Sequence, residues 1–197
     1  VMGLTGMLQS RVDLYVITAV RSPHDVGQYQ VLINLLIYLQ AVANLVVLPF
    51  VQELYRLPLA AVRRAARGLA VGGLVFTAPA TVLLWLALRW LWHIELSRPL
   101  IWVAASYIFV VWLFLPDVYT LYKLGRERTV VWMSAISAAL NLALNLWLVP
   151  RYGLLGALAT SAAVQWLGAV VYRVLVRRAV AAAQLPDGEI ESSSATR

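Results

Sequence analysis

Cysteine is missing altogether from the 197 residues, and there are only two histidines, His24 and His93. That removes disulfides, a thiolate nucleophile and cysteine-ligated metals, and two histidines are too few for a histidine-based metal site. Charge is scarce as well: Asp, Glu, Lys and Arg make up 13% of the chain, against about a quarter in a soluble domain. No Gly-x-x-x-x-Gly-Lys run and no Gly-x-Ser-x-Gly elbow occurs, which removes two common frames for phosphate and acyl chemistry. What fills the space is apolar. Hydrophobic residues make up 62% of the chain, well above the roughly half of an ordinary domain, and the excess points to lipid.

Apolar runs and their breakers give six candidate spans, at about residues 1 to 20, 26 to 50, 69 to 92, 100 to 122, 129 to 149 and 153 to 173. Six spans of about 20 residues need roughly 120 positions, so the chain accommodates them with short loops and no room for a soluble domain. The expected fold is an all-α membrane protein, a six-transmembrane-helix bundle over residues 1 to 178, followed by a disordered tail at 179 to 197. The polar, acidic end PDGEIESSSATR lacks the apolar surface to order itself. The first span begins without a charged n-region and has no small-residue cleavage site after it, so it does not read as a removable signal peptide.

Arginine placement sets the orientation. Arg56, Arg63, Arg64 and Arg67 follow the second span, Lys123, Arg126 and Arg128 the fourth, and Arg173, Arg177 and Arg178 the sixth, whereas Arg21, Arg98 and Arg151 stand alone in the alternate loops. Basic residues favour cytoplasmic loops, so both termini are expected in the cytoplasm. The net charge of +7 then reflects membrane topology and anionic lipid, not nucleic acid. Trp85, Trp90 and Trp92, with Tyr119, Tyr122, Tyr152 and Tyr172, fall near span ends as interfacial anchors. The stretch from Arg56 to Arg67 reads either as a short amphipathic helix on the cytoplasmic surface or as a solvated loop.

A helix satisfies its own backbone in lipid, so the informative side chains are those that break the apolar rule. In the second span Gln30, Asn34, Tyr38, Gln40, Ala41 and Asn44, at 100° per residue, fall within an arc of roughly 160°. In the fifth span Ser134, Ser137, Asn141 and Asn145 recur at spacings of three and four. In the sixth, Ala157, Ser161, Gln165 and Gly168 form one line, the pattern of residues that cement neighbouring helices. The amides of the second and fifth spans outnumber what packing requires, and a hydrated cavity between those helices is expected. Arg11 and Asp13 place charge in the first span, about 20 Å along the helix for Asp13 at 1.5 Å per residue. Two residues apart they point to nearly opposite sides, so Asp13 needs water, a cation or a partner from another span, as in a proton or sodium relay. Asp117 lies late in the fourth span, where a solvated boundary carboxylate is expected. Pro79 predicts a kink in the third span.

Two stretches carry a family resemblance. NLALNLWLVPRYGLLGALAT, Asn141 to Thr160, resembles the second-last and last helices of polysaccharide flippases of the multidrug/oligosaccharidyl-lipid/polysaccharide exporter superfamily. RVDLYVITAVRSPHDVGQYQ, Arg11 to Gln30, resembles the helix, short loop and Val-Gly-x-Tyr that open one half of such flippases. Members usually have twelve or more helices in two similar lobes around a partly cationic cavity. The resemblance implies that this chain is the C-terminal lobe, half of a twelve-or-more-helix flippase, paired with a second six-helix lobe or a homodimer mate. It implies export of a lipid-linked oligosaccharide on a polyprenyl carrier for polysaccharide, lipopolysaccharide or O-antigen biosynthesis in a bacterial or archaeal inner membrane. On that reading Arg11 faces a diphosphate, Asp13 couples a cation (H+ or Na+), and Asn34, Asn141 and Asn145 meet sugar hydroxyls, with no other cofactor. NLVVLP at Asn44 to Pro49 also echoes NLWLVP at Asn145 to Pro150, as an internal repeat would.

Two rivals belong to other classes. An integral-membrane polyprenyl-dependent glycosyltransferase or ligase needs paired carboxylates or a metal near the surface; the short outside loops hold only Asp25 and Glu95, so no enzyme is expected. A non-transporting membrane scaffold needs only six spans and polar stripes that hold them together.

Overall fold

The computed structural model describes residues 12–183, and every regular element among them is helical. In chain order these are α1 (Val12–Val20), α2 (Pro23–Val47), a 3-10 turn (Leu48–Phe50), α3 (Val51–Arg56), α4 (Leu59–Leu91), α5 (Arg98–Lys123) and α6 (Glu127–Ala183). Four helical stretches, Pro23–Glu53, Leu59–Leu91, Arg98–Lys123 and Glu127–Ala182, are long and apolar enough to cross a membrane. Most of the expected first span, and the tail beyond Ala183, lie outside the described residues; the tail boundary set at 178 falls inside α6.

Local chemistry explains where the helices begin. The Ser22 hydroxyl accepts a hydrogen bond from the Asp25 N–H at 3.2 Å, and Pro23 follows it in the first turn. This cap and pre-set φ start α2 three residues ahead of the apolar run. Pro58 holds Leu57 extended (φ −68°, ψ 145°), ending α3 and opening α4. The segment expected as a surface helix or loop is therefore divided: α3 ends at Arg56, and Arg63, Arg64 and Arg67 ride on the first turns of α4, continuous with the third span. Pro79 lies inside α4, which is helical from Leu59 to Leu91. Between α5 and α6 the Gly125 N–H bonds the Tyr122 carbonyl at 3.0 Å and the Arg126 N–H bonds that of Leu121 at 2.9 Å. With Gly125 at φ 67° this is a Schellman close.

At 1.5 Å per residue an unbroken α6 would run about 85 Å, nearly three hydrocarbon thicknesses. It does not run straight. Gly153 has φ 58° and ψ −133°, a conformation open essentially to glycine alone. The arms 127–152 and 154–183 fold back on one another, so that Asn141 Nδ2 reaches Ser161 Oγ at 3.2 Å. Arg21, after α1, fastens the turn: its Nη2 donates to the carbonyls of Val149 and Pro150, each at 3.0 Å.

The helices pack through narrow stripes. α2 buries Tyr29, Leu32, Ile33 and Leu36, helical spacing on one face, against Val16 and Ile17 of α1, Leu84 and Leu88 of α4, Ile108 of α5 and Leu158 of α6. α5 is the most enclosed of the helices, burying residues from Leu100 through Leu121. A second cluster joins α2, α4 and α5 through Ala43, Val47, Val62, Val111, Trp112 and Leu115, and a third joins α5 to both arms of α6 through Leu121, Val130, Tyr172, Val176 and Val180. The outer surface carries large apolar side chains, among them Val75, Leu83, Trp90, Trp102 and Trp132. An apolar surface of this extent is a liability in water and the ordinary solvated face in lipid.

Candidate functional site

Polar groups in the bundle fall into two separate arrangements. The first is a buried seam. Asp13, on α1, is 3% exposed. Its carboxylate accepts from the Tyr29 hydroxyl of α2, from the Leu14 N–H at 2.9 Å and from Ser161 Oγ of the second arm of α6 at 3.4 Å. Ser161 in turn accepts from Asn141 Nδ2 on the first arm, and Asn145 Nδ2 donates to the Asn141 side-chain oxygen at 2.6 Å and to its carbonyl at 2.9 Å. One chain of hydrogen bonds therefore crosses α1, α2 and both arms of α6. Asp13 has no cationic partner among the described residues. Two oxygens buried in the α6 hairpin, Asn145 Oδ1 and Thr160 Oγ1, make no hydrogen bond; unpartnered buried oxygens are uncommon enough to call for an account.

A turn further along, Gln40 Nε2 of α2 donates to Gln165 Oε1 of α6 at 2.9 Å and to the Tyr107 carbonyl of α5. Ser161 and Gln165, on the line expected to cement helices, thus bridge elements far apart in sequence. Among the described residues no group of three His, Asp or Glu side chains is placed to hold a metal ion.

The residues singled out from sequence separate accordingly. Asp13, Asn141 and Asn145 are brought together in the seam. Gln30 and Tyr38 are exposed on the outer face of α2, Asn34 is half-buried beside them, and Asn44 is exposed further along. Arg11 lies outside the described residues. Sequence reasoning passed over Tyr29, although a tyrosine on a stripe of Leu and Ile needs a partner for its hydroxyl.

The second arrangement lies where α4 begins and α5 and α6 end. A cavity of about 510 Å³ is bordered by Arg63 and Arg67 of α4, Asp117 and Thr120 of α5, and Arg173 and Arg177 of α6. Arg173 Nε donates to Asp117 Oδ2 at 2.7 Å, and its Nη2 reaches the Leu113 carbonyl at 3.4 Å. Asp117 is therefore a buried, paired carboxylate, 6% exposed, and not the solvated boundary group its position suggests. Arg63, Arg67 and Arg177 form no ion pair among the described residues. Four arginines against one carboxylate give the cavity a formal charge of +3. A smaller recess of about 260 Å³ at the same end carries Arg126 and Arg178. No protein-family model matches the chain, and comparison with curated proteins and with solved structures finds no match.

Proposed function

We propose that this chain is one membrane lobe of a flippase that moves a lipid-linked oligosaccharide, carried on a polyprenyl phosphate, across a bacterial or archaeal inner membrane by cation-coupled alternating access. Six spans follow on that reading. The first expected span, at about residues 1 to 20, closes with α1; α2, α4 and α5 are the next three, and the two arms of α6 are the fifth and sixth. The arginine-bearing ends of α4, α5 and α6 meet at one end of the bundle, and that end is cytoplasmic, as are both termini of the chain. The outer face of α2 carries exposed Gln30 and Tyr38 beside apolar side chains such as Leu45, polar groups that lipid alone does not satisfy. It is the wall of a wet passage completed by a second lobe or a second copy.

The observation that carries the coupling role is Asp13: a carboxyl enclosed among α1, α2 and α6, held among the described residues by donated hydrogen bonds alone, in a seam that ends at the unpartnered Oδ1 of Asn145. A carboxyl without a fixed cation is suited to exchanging a proton or Na+, and oxygen ligands suit hard cations. The test is movement of a fluorescent lipid-linked oligosaccharide in vesicles containing the full chain, driven by a pH or Na+ gradient. Gradient-dependent movement that is lost in Asp13→Asn is expected; a variant as active as the parent overturns the coupling role. The scaffold reading draws on a specific observation too: Asn141, Asn145 and Ser161 bond within the α6 hairpin, as static cement would. No movement under any gradient, in a correctly inserted protein paired with its second lobe or a second copy, would decide for it.

A further inference from the structure

The arginine-lined cavity is not used by the transport reading, which places the passage on α2 and the coupling group on α1. We propose that this cavity, whose four arginines reach the surface, is a binding site for a phosphate group between α4, α5 and α6. Its charge is focused. Arg63, Arg67 and Arg177 converge without fixed counter-ions among the described residues. Asp117 pairs directly with Arg173 and fixes its guanidinium at 2.7 Å, while its charge also acts at longer range on Arg177. Guanidinium forks match phosphate oxygens in geometry as well as charge.

Apart from Thr120, the remaining lining is apolar, Leu59, Val62, Leu113, Val176 and Val180 among it. A bare anion would have no use for these walls. A phosphate ester with a hydrocarbon stem would meet arginines with its head and these side chains with its glycerol and first carbons. The depth agrees. Asp117 lies six residues before the end of α5 at Lys123, or about 9 Å at 1.5 Å per residue, near the boundary between headgroups and acyl chains. About 510 Å³ is also within the range of ligand sites, roughly 300 to 1,000 Å³, and far more than one phosphate group occupies. The shared chemistry is a phosphate monoester or diester; membrane phospholipid and a soluble phosphate are its two sources.

Native mass spectrometry of the full chain in mild detergent distinguishes them. The probes are dioleoyl phosphatidylglycerol, dioleoyl phosphatidylcholine and inorganic pyrophosphate. One phosphatidylglycerol is expected to be retained, about tenfold in preference to phosphatidylcholine, because only the former keeps a net negative headgroup. The double variant Arg67→Gln/Arg177→Gln is expected to weaken it about 25-fold, at about fivefold per arginine. Arg126→Gln/Arg178→Gln removes the same charge from the neighbouring recess and should change retention less than threefold, on the order of bulk electrostatics. Arg67→Lys/Arg177→Lys, which keeps charge and loses the fork, should fall between, and it remains informative should the glutamine pair fold poorly. Retention of pyrophosphate with no preference for phosphatidylglycerol assigns the site to a soluble phosphate. The proposal is overturned by equal loss in the cavity and recess variants, or by no retention of either phosphate probe.

Discussion

Replacing Tyr29 with Phe removes one oxygen from the interior and tests whether the seam holds the bundle together. Tyr29 is fully buried and its hydroxyl donates to Asp13. Asp13 has two other donors. Ser161, at 3.4 Å, is beyond the usual hydroxyl range of about 2.5 to 3.0 Å, and the Leu14 N–H is local to α1. Among the described residues Tyr29 therefore supplies the one strong bond to the carboxyl from another helix. A hydrogen bond to a charged group contributes about 1.5 to 3 kcal/mol in soluble proteins, whereas side-chain bonds between membrane helices average about 0.6 and reach about 1.7 kcal/mol. The lipid figures govern here, because the dissociated helices remain in the membrane and find other partners. The position of Tyr29 as principal donor puts it at their upper end, so Tyr29→Phe should destabilise the bundle by about 1 to 2 kcal/mol, a five- to thirtyfold change in the folded ratio. The measurement is equilibrium titration of the purified chain from bicelles into sodium dodecyl sulfate, followed by fluorescence of its eight tryptophans. Asp13→Asn keeps an acceptor for the tyrosine and should cost less. In the double variant the two losses should fail to add, since they share one bond. A Tyr29→Phe cost under about 0.3 kcal/mol, half the membrane average, would refute the assignment of this bond as a tie between α1 and α2.

The other expectations concern the frame around the seam and the cavity. Gly153→Ala forces a Cβ into φ 58°, ψ −133° and should cost about 1 to 3 kcal/mol in the same titration, whereas an unchanged midpoint would mean that α6 does not turn there. Gly73→Ala would set a Cβ against Trp112, 2.9 Å from its Cδ1 and nearer still to Cβ and Cγ. Because the clash includes the Trp112 Cβ, no rotamer change relieves it, and a loss of about 1 to 3 kcal/mol with looser contact between α4 and α5 should follow. Arg173→Gln leaves the buried Asp117 without its ion pair; with the arginine side chain 46% exposed, the loss should be about 1 kcal/mol or less. Restoration of parental stability on adding Asp117→Asn would identify the uncompensated carboxylate as its cause.

Much of the fold is legible in the residues because lipid leaves few choices. The stripe Tyr29, Leu32, Ile33, Leu36 shows α2 as a packed helix, and the Pro-Arg-Tyr-Gly run before Leu154 marks the reversal of α6. Apolar runs place the starts of α2 and α4 later in the chain than the structure does, for two different reasons. Hydropathy ignores caps, so it does not register Ser22 and Pro23 as a helix start. Arginines lower hydropathy without lowering helix propensity, so Ala60, Ala61, Ala65 and Ala66 carry α4 past the apolar core with Arg63, Arg64 and Arg67 aboard. The seam was half legible. Asp13, Asn141 and Asn145 stand out as polar exceptions, but periodicity on one helix says nothing of which face meets which neighbour. Tyr29 to Asp13 and Ser161 to Asp13 are contacts across 16 and 148 residues. The pair Arg173 and Asp117, 56 residues apart, has no local signal at all, and Asp117 was read as solvated because depth along a helix does not reveal what packs beside it.

The expected passage between the second and fifth spans divides, in the structure, into two surfaces with different physical demands. Polar side chains that bond one another across a hairpin, as Asn141 and Ser161 do, resist rearrangement, since separating them in a dry interior leaves each without a partner. Amides on an outer face, as at Gln30 and Asn44, have the opposite property: they need a partner that the bundle does not supply, and water in a passage or a second polypeptide are the two that a membrane allows. A transport cycle requires one surface that holds and another that opens. The α6 hairpin has the chemistry of the first and the outer face of α2 that of the second, while Asp13, reached through Tyr29 from α2 and through Ser161 from α6, lies at the junction where, on the proposed transport reading, a cation exchanged at its carboxyl would be felt by both.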